Sequence, residues 1–298
     1  MKNVLEWLEA TVAKYPDKPA FSDTESSITF RQVYDIARNT GAYLVEQLGV
    51  DRTPVAVFAG RKMVTPAYFL GVVYAGRPYA PIDASLPDKR IEKILENLCP
   101  RAIVADRESR EHVESIVDEL AKAEGFDRPQ IFIAEDISSF EQVACADSNC
   151  KISESAGDSV TDSENDMLAT VRRQMSMTDP LYIIYTSGST GNPKGVMTSH
   201  LSLMTYINAY CDVMHIEESD VLGNQSPLDY IAAIRDIYLP LKTGCSTAII
   251  PKEYFMEPNA LFDYMNDKKV SSVGWSVSAF TILTSLGAFE EVGLKSLR

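Results

Sequence analysis

Residues 186–195 read TSGSTGNPKG. They contain three glycines, four hydroxyl side chains, one proline and one lysine. Glycines let successive backbone N–H groups turn toward a single anion. The hydroxyls of Thr186, Ser187, Ser189 and Thr190 add donors, and Lys194 adds a mobile positive charge. Such a set suits a chain of phosphates. The order of residues separates it from two other loops. A Walker loop requires Ser or Thr directly after its lysine, but Lys194 is followed by Gly195 and preceded by Pro193. The G-x-S-x-G elbow of hydrolases is absent, because Gly188-Ser189-Thr190-Gly191 has the wrong register. The plain alternative is a flexible surface loop between two strands.

The elements around this loop must hold it in place. Residues 181–185, LYIIY, are apolar, β-branched or aromatic, and predict a short buried strand that empties into the loop at Thr186. Upstream, a 3–4 spacing of Leu5, Leu8, Val12 and Tyr15 predicts a helix over 4–14 that Pro16 ends. An extended pair at 20–22 and 27–30 and a helix over 31–48 follow. Strands are predicted at 55–59, 102–105 and 130–134, with helices at 64–75 and 108–123 between them. Both faces of Val55-Ala56-Val57-Phe58-Ala59 are apolar, as in a buried parallel strand. Downstream, helices are predicted at 201–214, 232–242, 259–266 and 279–286, strands at 246–251 and 270–275, and a turn at 224–227. This alternation predicts an α/β fold with two doubly wound, mainly parallel sheets packed with helices. The expected units are 1–137 and 179–298. Between them, 138–178 is rich in Ser and Asp. From Glu141 to Asp166 it carries seven acids against one base, so it reads as a disordered acidic insertion, with one or two helical turns possible at 167–175.

Composition excludes several classes. The chain has 298 residues and is 45% hydrophobic, enough for a sizeable core. Its net charge of −14 argues against nucleic-acid or anionic-membrane partners. No apolar run is long enough to span a membrane, and the N-terminus lacks a signal-peptide pattern. Five scattered cysteines without C-x-x-C spacing, and three histidines, argue for a reducing cytoplasm and against a metal site. Cys145 and Cys150 are close enough in sequence to pair. His200 and His215 carry no ligand spacing, and His200 is expected to cap or pack beside the loop.

The loop, with Tyr185 before it and His200 after it, resembles the signature of the AMP-forming adenylating enzymes. That superfamily includes acyl-CoA synthetases, adenylation domains of nonribosomal peptide synthetases, D-alanine–carrier protein ligases and luciferases. Ala75-Gly76-Arg77-Pro78-Tyr79-Ala80-Pro81-Ile82-Asp83, with Pro87 and Arg90, resembles a second family stretch, to which a structural role is assigned. The resemblance implies an enzyme that joins a carboxylate to the α-phosphate of ATP and expels pyrophosphate. Charge then develops on phosphate oxygens, where N–H, hydroxyl and ammonium donors act. It implies ATP and Mg²⁺ as cofactors, with Thr186, Ser187, Gly188, Ser189, Thr190, Gly191 and Lys194 holding the phosphates. The thiol acceptor would be CoA or a carrier protein's phosphopantetheine.

By the same resemblance, Tyr230-Ile231-Ala232-Ala233-Ile234 occupies the acyl-pocket segment often written FDxSV, followed by Arg235 and, on a later strand, Trp275. Ile231 falls where amino-acid-activating members carry an Asp for the substrate ammonium. An isoleucine cannot stabilise a buried cation, and Asp229 lies two residues earlier. Arg235 offers a guanidinium for a second substrate carboxylate, or pairs with Asp236 instead. The substrate is thus a carboxylic or amino acid. The resemblance covers nearly the whole chain but only the first half or more of a family enzyme. It lacks the Thr-Glu motif, the ribose-binding Asp, the hinge and the C-terminal catalytic Lys, and no catalytic residue is assigned within it. The expectation is a fragment that is inactive alone. The alternative is a non-catalytic nucleotide-binding or assembly module that keeps the fold.

Overall fold

The computed structural model describes residues 2–138, 167–187, 191–291 and 293–298. The chain opens with helix α1 (Leu5–Lys14) and the hairpin β1 (Pro19–Ser22) and β2 (Ser27–Thr29). Helix α2 (Phe30–Leu48) starts at a capping box. The Thr29 hydroxyl accepts from the Gln32 N–H at 3.2 Å, and the Gln32 side chain accepts from the Thr29 N–H at 2.9 Å. Then come β3 (Val55–Phe58), α3 (Thr65–Tyr74), β4 (Tyr79–Pro81), α4 (Asp88–Leu98), β5 (Ala102–Ala105), α5 (Arg110–Leu120), β6 (Gln130–Ile133) and α6 (Ala134–Ser138). After 139–166, α7 (Met167–Gln174) leads into β7 (Pro180–Ser187), β8 (Pro193–Ser199) and α8 (His200–Met214). The remainder is β9 (Val221–Asn224), α9 (Ile231–Thr243), β10 (Ser246–Ile249), a 3₁₀ turn (Lys252–Met256), α10 (Pro258–Asp267), β11 (Ser272–Val273), α11 (Val277–Ser285) and α12 (Ala288–Glu291).

Two sheets form among the described residues, ordered β11-β9-β10-β1-β2 and β6-β5-β3-β4-β7-β8. All pairings are parallel except the β1–β2 and β7–β8 hairpins. The mainly parallel α/β class is as expected, but the division at 137 and 179 does not follow the sheets. The β1–β2 hairpin leaves the first section and joins β10, with Phe21 opposite Thr247. In turn β7 leaves the second section and joins β4. Sequence adjacency is a good guide to pairing in general, but an isolated two-stranded hairpin cannot bury its own apolar face and pairs wherever a partner offers one.

The six-stranded sheet alternates its side chains between two cores. Val55, Val57, Ala102 and Val104 face a core shared with α1, α2, α3, α9 and the second sheet, while Ala56, Phe58, Ile103 and Ala105 face α4 and α5. Helix α3 is buried at every residue, which is why its sequence is apolar all round. A third core lies on the outer face of the five-stranded sheet against the 3₁₀ turn, α10 and α11.

Other expectations meet the structure with different outcomes. The insertion is shorter than 138–178. Leu168, Val171 and Met175 are buried, and Arg172 of α7 donates to Asn3 Oδ1 at 2.6 Å and to Glu9 Oε2 at 2.9 Å, so α7 belongs to the core. Cys145 and Cys150 lie outside the described residues, as does most of the acidic tract. The expected turn at 224–227 follows a strand that the sequence reading missed, β9, whose Leu222 and Gly223 are buried between β10 and β11. Arg77, in the stretch given a structural role, is wholly buried. It donates to the carbonyls of Thr53, Leu48 and Gly49 and pairs with Asp51, closing the end of α2.

Helices α2 and α3 cross closely. A Cβ built on Gly71 would lie 2.5 Å from Thr40 Cβ. Gly71→Ala is expected to destabilise the fold by about 1–3 kcal/mol through overpacking, read as a lower midpoint in thermal unfolding. An unchanged midpoint would refute this account of the crossing.

Candidate functional site

The expected loop at 186–195 is a hairpin. β7 does not stop at Tyr185, because Thr186 pairs with Lys194 and Ser187 with Pro193 across β8. The sequence reading missed β8 because Lys194, Gly195 and the Val-Met-Thr-Ser run carry no strong strand pattern. Gly188, Ser189 and Thr190 lie outside the described residues. Thr186, Ser187, Gly191 and Lys194 are exposed at or near the hairpin tip. Gly191 has φ +78°, a conformation that favours glycine. Thr186 Oγ1 lies at 3.5 Å from the Lys194 carbonyl, the weak limit of a hydrogen bond. Behind the tip, Tyr185 donates to Asn97 Oδ1 at 2.8 Å, and burial pushes its phenol up to about 12.

Helix α4 supplies a wall that sequence reasoning did not assign. A cleft of about 290 Å³ lies between Ser187, Gly191, Asn192 and Pro193 on one side and Pro87, Lys89, Arg90 and Lys93 on the other. Lys93 Nζ donates to Asn192 Oδ1 at 3.1 Å and reaches the Gly191 carbonyl at 3.4 Å, tethering the tip to α4. The Arg90 Nε is buried without a partner. Lys89, Arg90 and Lys93 recur at one- and three-residue spacing on an amphipathic helix, a signal that could have pointed here. The Ser187 hydroxyl on one wall, with Lys89, Lys93 and the unpartnered Arg90 Nε on the other, forms a donor set that fits an anionic phosphate chain.

His200 begins α8 directly after β8. It is 1% exposed, and its Nδ1 accepts from the Val4 N–H at 3.5 Å. Burial, with Arg172 nearby, lowers its pKa to about 4, so it is a neutral packing residue and not a base at neutral pH.

The proposed pocket residues stand as follows. Tyr230 is the N-cap of α9, and it and Ile231 are 55% and 47% exposed; Ala232 is partly exposed. Ile231 is therefore not a core residue. Arg235 lies one turn on. Its Nε donates to Asp236 Oδ1 at 2.7 Å, and its Nη2 donates to Asp236 Oδ2 and to the Gly274 carbonyl, each at 3.1 Å. Tyr210 lies beneath the guanidinium, 5.5 Å from ring centroid to Cζ. A Cβ on Gly274 would fall 2.0 Å from Arg235 Nη1, so only glycine admits the guanidinium there. Asp236 is buried and also accepts from Asn224 Nδ2 at 3.0 Å. Burial raises its carboxyl, while Arg235 opposes this and is itself raised by the partnership with Asp236. Trp275 follows Gly274. Its Nε1 donates to the Gly223 carbonyl at 3.2 Å, and its ring packs edge-on against Phe255. The structure thus brings Arg235 and Trp275 together and leaves Tyr230, Ile231 and Ala232 on the open end of α9. Arg235 is committed to Asp236, which takes most of its fork away from any ligand carboxylate.

A hairpin that carries exposed hydroxyls and a lysine at the carboxyl edge of a mainly parallel sheet is a setting in which α/β proteins handle nucleotides. The chain belongs to the AMP-binding enzyme family, whose model matches residues 8–298. It is 27% identical over 257 residues to a D-alanine–D-alanyl carrier protein ligase of Bacillus velezensis, covering 86% of this chain and 44% of that protein. The chain therefore spans about half the length of the curated relatives it matches. Its fold is that of the inhibitor-bound N-terminal domain of FACL13 from Mycobacterium tuberculosis (TM-score 0.76, 20% identity, 100% of this chain and 69% of that one). It is equally that of the nonribosomal peptide synthetase FmoA3 (TM-score 0.76, 21% identity, 99% of this chain and 28% of that one).

Two outcomes follow from this geometry. His200 has a folded pKa below its ordinary 6.5, so the folded state resists its protonation. Its contribution is complete above about pH 6.5 and is lost as pH falls toward about 4. Unfolding scans should show a loss of about 2 kcal/mol between about pH 7 and pH 5 that is absent in His200→Gln. A parallel loss in that variant would assign the effect to other groups. Separately, Asp236→Asn should cost about 3 kcal/mol by leaving Arg235 uncompensated, whereas Arg235→Met with Asp236→Leu should come within about 1 kcal/mol of the parent. Chemical denaturation distinguishes these outcomes, and equal losses in both variants would exclude the ion-pair account.

Proposed function

We propose that this chain supplies the phosphate-holding part of an ATP-dependent, AMP-forming ligase. Such an enzyme activates a carboxylic or amino acid as an acyl-adenylate and passes it to the thiol of a carrier protein's phosphopantetheine or of CoA. The observation that carries this reading is the β7–β8 hairpin, where Thr186, Ser187 and Lys194 face solvent beside the cationic flank of α4. Thr186, Ser187, Gly191 and Lys194, with Gly188, Ser189 and Thr190 between them in sequence, are the residues that would bind the triphosphate. Lys93 and Arg90 are added to that set. ATP supplies the activated phosphorus; the chain's part is to bind and orient its phosphates and to neutralise charge on the departing pyrophosphate. Among the described residues, no group of three or more His, Cys, Asp or Glu could hold a metal ion, so a magnesium ion would be carried chiefly on phosphate oxygens.

The family and the carrier-protein ligase named among its relatives support this reading. Among the described residues no helix is long and apolar enough to cross a membrane, and the described cysteines are free thiols, which supports a cytoplasmic setting. A second reading, a non-catalytic module that keeps the fold, is favoured by one observation. Ile231 stands exposed where an amino-acid ligase of this family would place its carboxylate.

Calorimetry separates the two. The chain is expected to bind ATP with magnesium, and Lys194→Ala to weaken that binding about tenfold or more, the scale of a charge-assisted contact. Lys122→Ala, on a distant surface, should change it less than about twofold. Absence of nucleotide binding by the parent chain would set the ligase reading aside in favour of the second.

A further inference from the structure

Three polar residues of α4, Arg90, Lys93 and Asn97, recur at three- and four-residue spacing and so share one face of the helix. That face lies along the β7–β8 hairpin and touches it at two levels. The first is two residues short of the end of β7, where Tyr185 stands directly opposite Gly195 in the ladder. A Cβ built on Gly195 would fall 3.1 Å from Tyr185 Cζ and 3.2 Å from its hydroxyl. The bare Cα of Gly195 therefore lets the phenol reach across β8 and donate to Asn97 Oδ1 at 2.8 Å. The ring is partly buried against the core that holds Ile94 and Leu95 of α4.

The second level, at the tip, is different in kind. Lys93 Nζ donates to Asn192 Oδ1 at 3.1 Å and to the Gly191 carbonyl at 3.4 Å. Lys93, Gly191 and Asn192 are all exposed, and both acceptors are neutral. A charged donor gains about twice as much from an anionic oxygen as a neutral pair gains. With two of its three donors engaged by the tip, the ammonium has one left for an anion in the cleft beside Ser187. The Tyr185–Asn97 contact is neutral on both sides, so an arriving anion has no charge there to draw away. One contact is thus built to stay and the other to exchange.

We propose that α4 is the positioning element of the hairpin. Asn97 fixes the hairpin's height along the helix through Tyr185. Lys93 is an exchangeable latch, held by Asn192 and Gly191 and transferred to phosphate oxygens when a polyphosphate enters the cleft. This deepens the ligase reading and rests on it for the identity of the anion. No covalent bond changes; hydrogen bonds exchange acceptors.

Two measurements on the whole chain test it. Hydrogen exchange of the β8 amides, with no ligand added, reads the Asn97 joint. Asn97→Leu and Tyr185→Phe should each speed that exchange about fivefold or more, whereas Asn97→Asp, which keeps an acceptor, should stay within about twofold of the parent. Calorimetry with inorganic pyrophosphate reads the latch. Lys93→Ala should weaken binding about fivefold, and Asn192→Ala should tighten it about twofold by returning a donor to the ammonium. The double variant should match Lys93→Ala alone, because the two residues act through one contact. A merely structural tether would make Asn192→Ala bind more weakly. Unchanged or weaker binding in that variant overturns the latch, as does absence of pyrophosphate binding by the parent. Parent-like exchange in both Asn97→Leu and Tyr185→Phe overturns the positioning role. If the parent binds ATP with magnesium while either of these results holds, the ligase reading stands and this proposal alone falls. If the parent binds no ATP, the ligase reading falls, and the exchange of the β8 amides still decides the role of Asn97.

Discussion

The parallel pairing of β1 with β10 is the constraint on which the rest of the molecule depends. It joins residues more than two hundred apart in sequence, Phe21 to Thr247 and Ser22 to Ala248. Side chains around it reinforce the seam. Ser246 Oγ donates to the Pro19 carbonyl at 2.6 Å, Thr11 Oγ1 donates to the Leu241 carbonyl at 2.7 Å, and Lys18 reaches the carbonyls of Glu218 and Gly244. Because β1 leads through β2 into α2, and α2 packs on α3, this one pairing fixes the second sheet against the first. The shared apolar core then forms between them. Such long-range closure carries a loop-entropy cost that only a large core offsets, and the chain meets it with the fully apolar α3.

Once the sheets are locked, their parallel strands end at a common edge. That is why unrelated stretches such as Ala59–Lys62, Ile82–Ser85, Gln225–Asp229 and Ile250–Glu253 come to line one cavity. It is also why the β7–β8 hairpin lies next to α4, since β7 neighbours β4 and α4 follows β4 directly. The chain is strongly acidic as a whole, with a net charge of −14, yet Lys89, Arg90, Lys93 and Lys194 gather at this hairpin. Local charge, not the global balance, governs what binds at such short range, because exposed charges beyond about 10 Å are screened.

The sequence made the local chemistry legible where a few adjacent residues carry it. The Thr186–Lys194 order and the apolar run before it were enough to mark a strand leading into a donor-rich turn, although the strand runs two residues further than the pattern suggests. Element types were likewise readable wherever periodicity ran for three turns, as in α2, or wherever both faces of a strand were apolar, as in β3. What escaped depends on long-range partners. β8 carries Pro193 and Gly195 and is a strand because β7 offers it a ladder. α7 looked like the end of an acidic insertion because its few apolar residues gain meaning only against α1 and α2. Arg235 could be read as a ligand group or as an ion-pair partner. Only Asp236 at 2.7 Å and the bare Cα of Gly274 decide for the second.

The same network shows how the ends of the two sheets are mechanically joined. Arg61 holds Asn224, Asn224 holds Asp236, and Asp236 holds Arg235, which closes on the Gly274 carbonyl. Each contact is short and largely excluded from water, where hydrogen bonds to charged groups are strongest and vacancies cost most. The chain of contacts runs from Arg61 after β3, through the end of β9, to Gly274, just past β11 and next to Trp275. The intervening groups are buried and mutually satisfied, so they transmit position rather than absorb it.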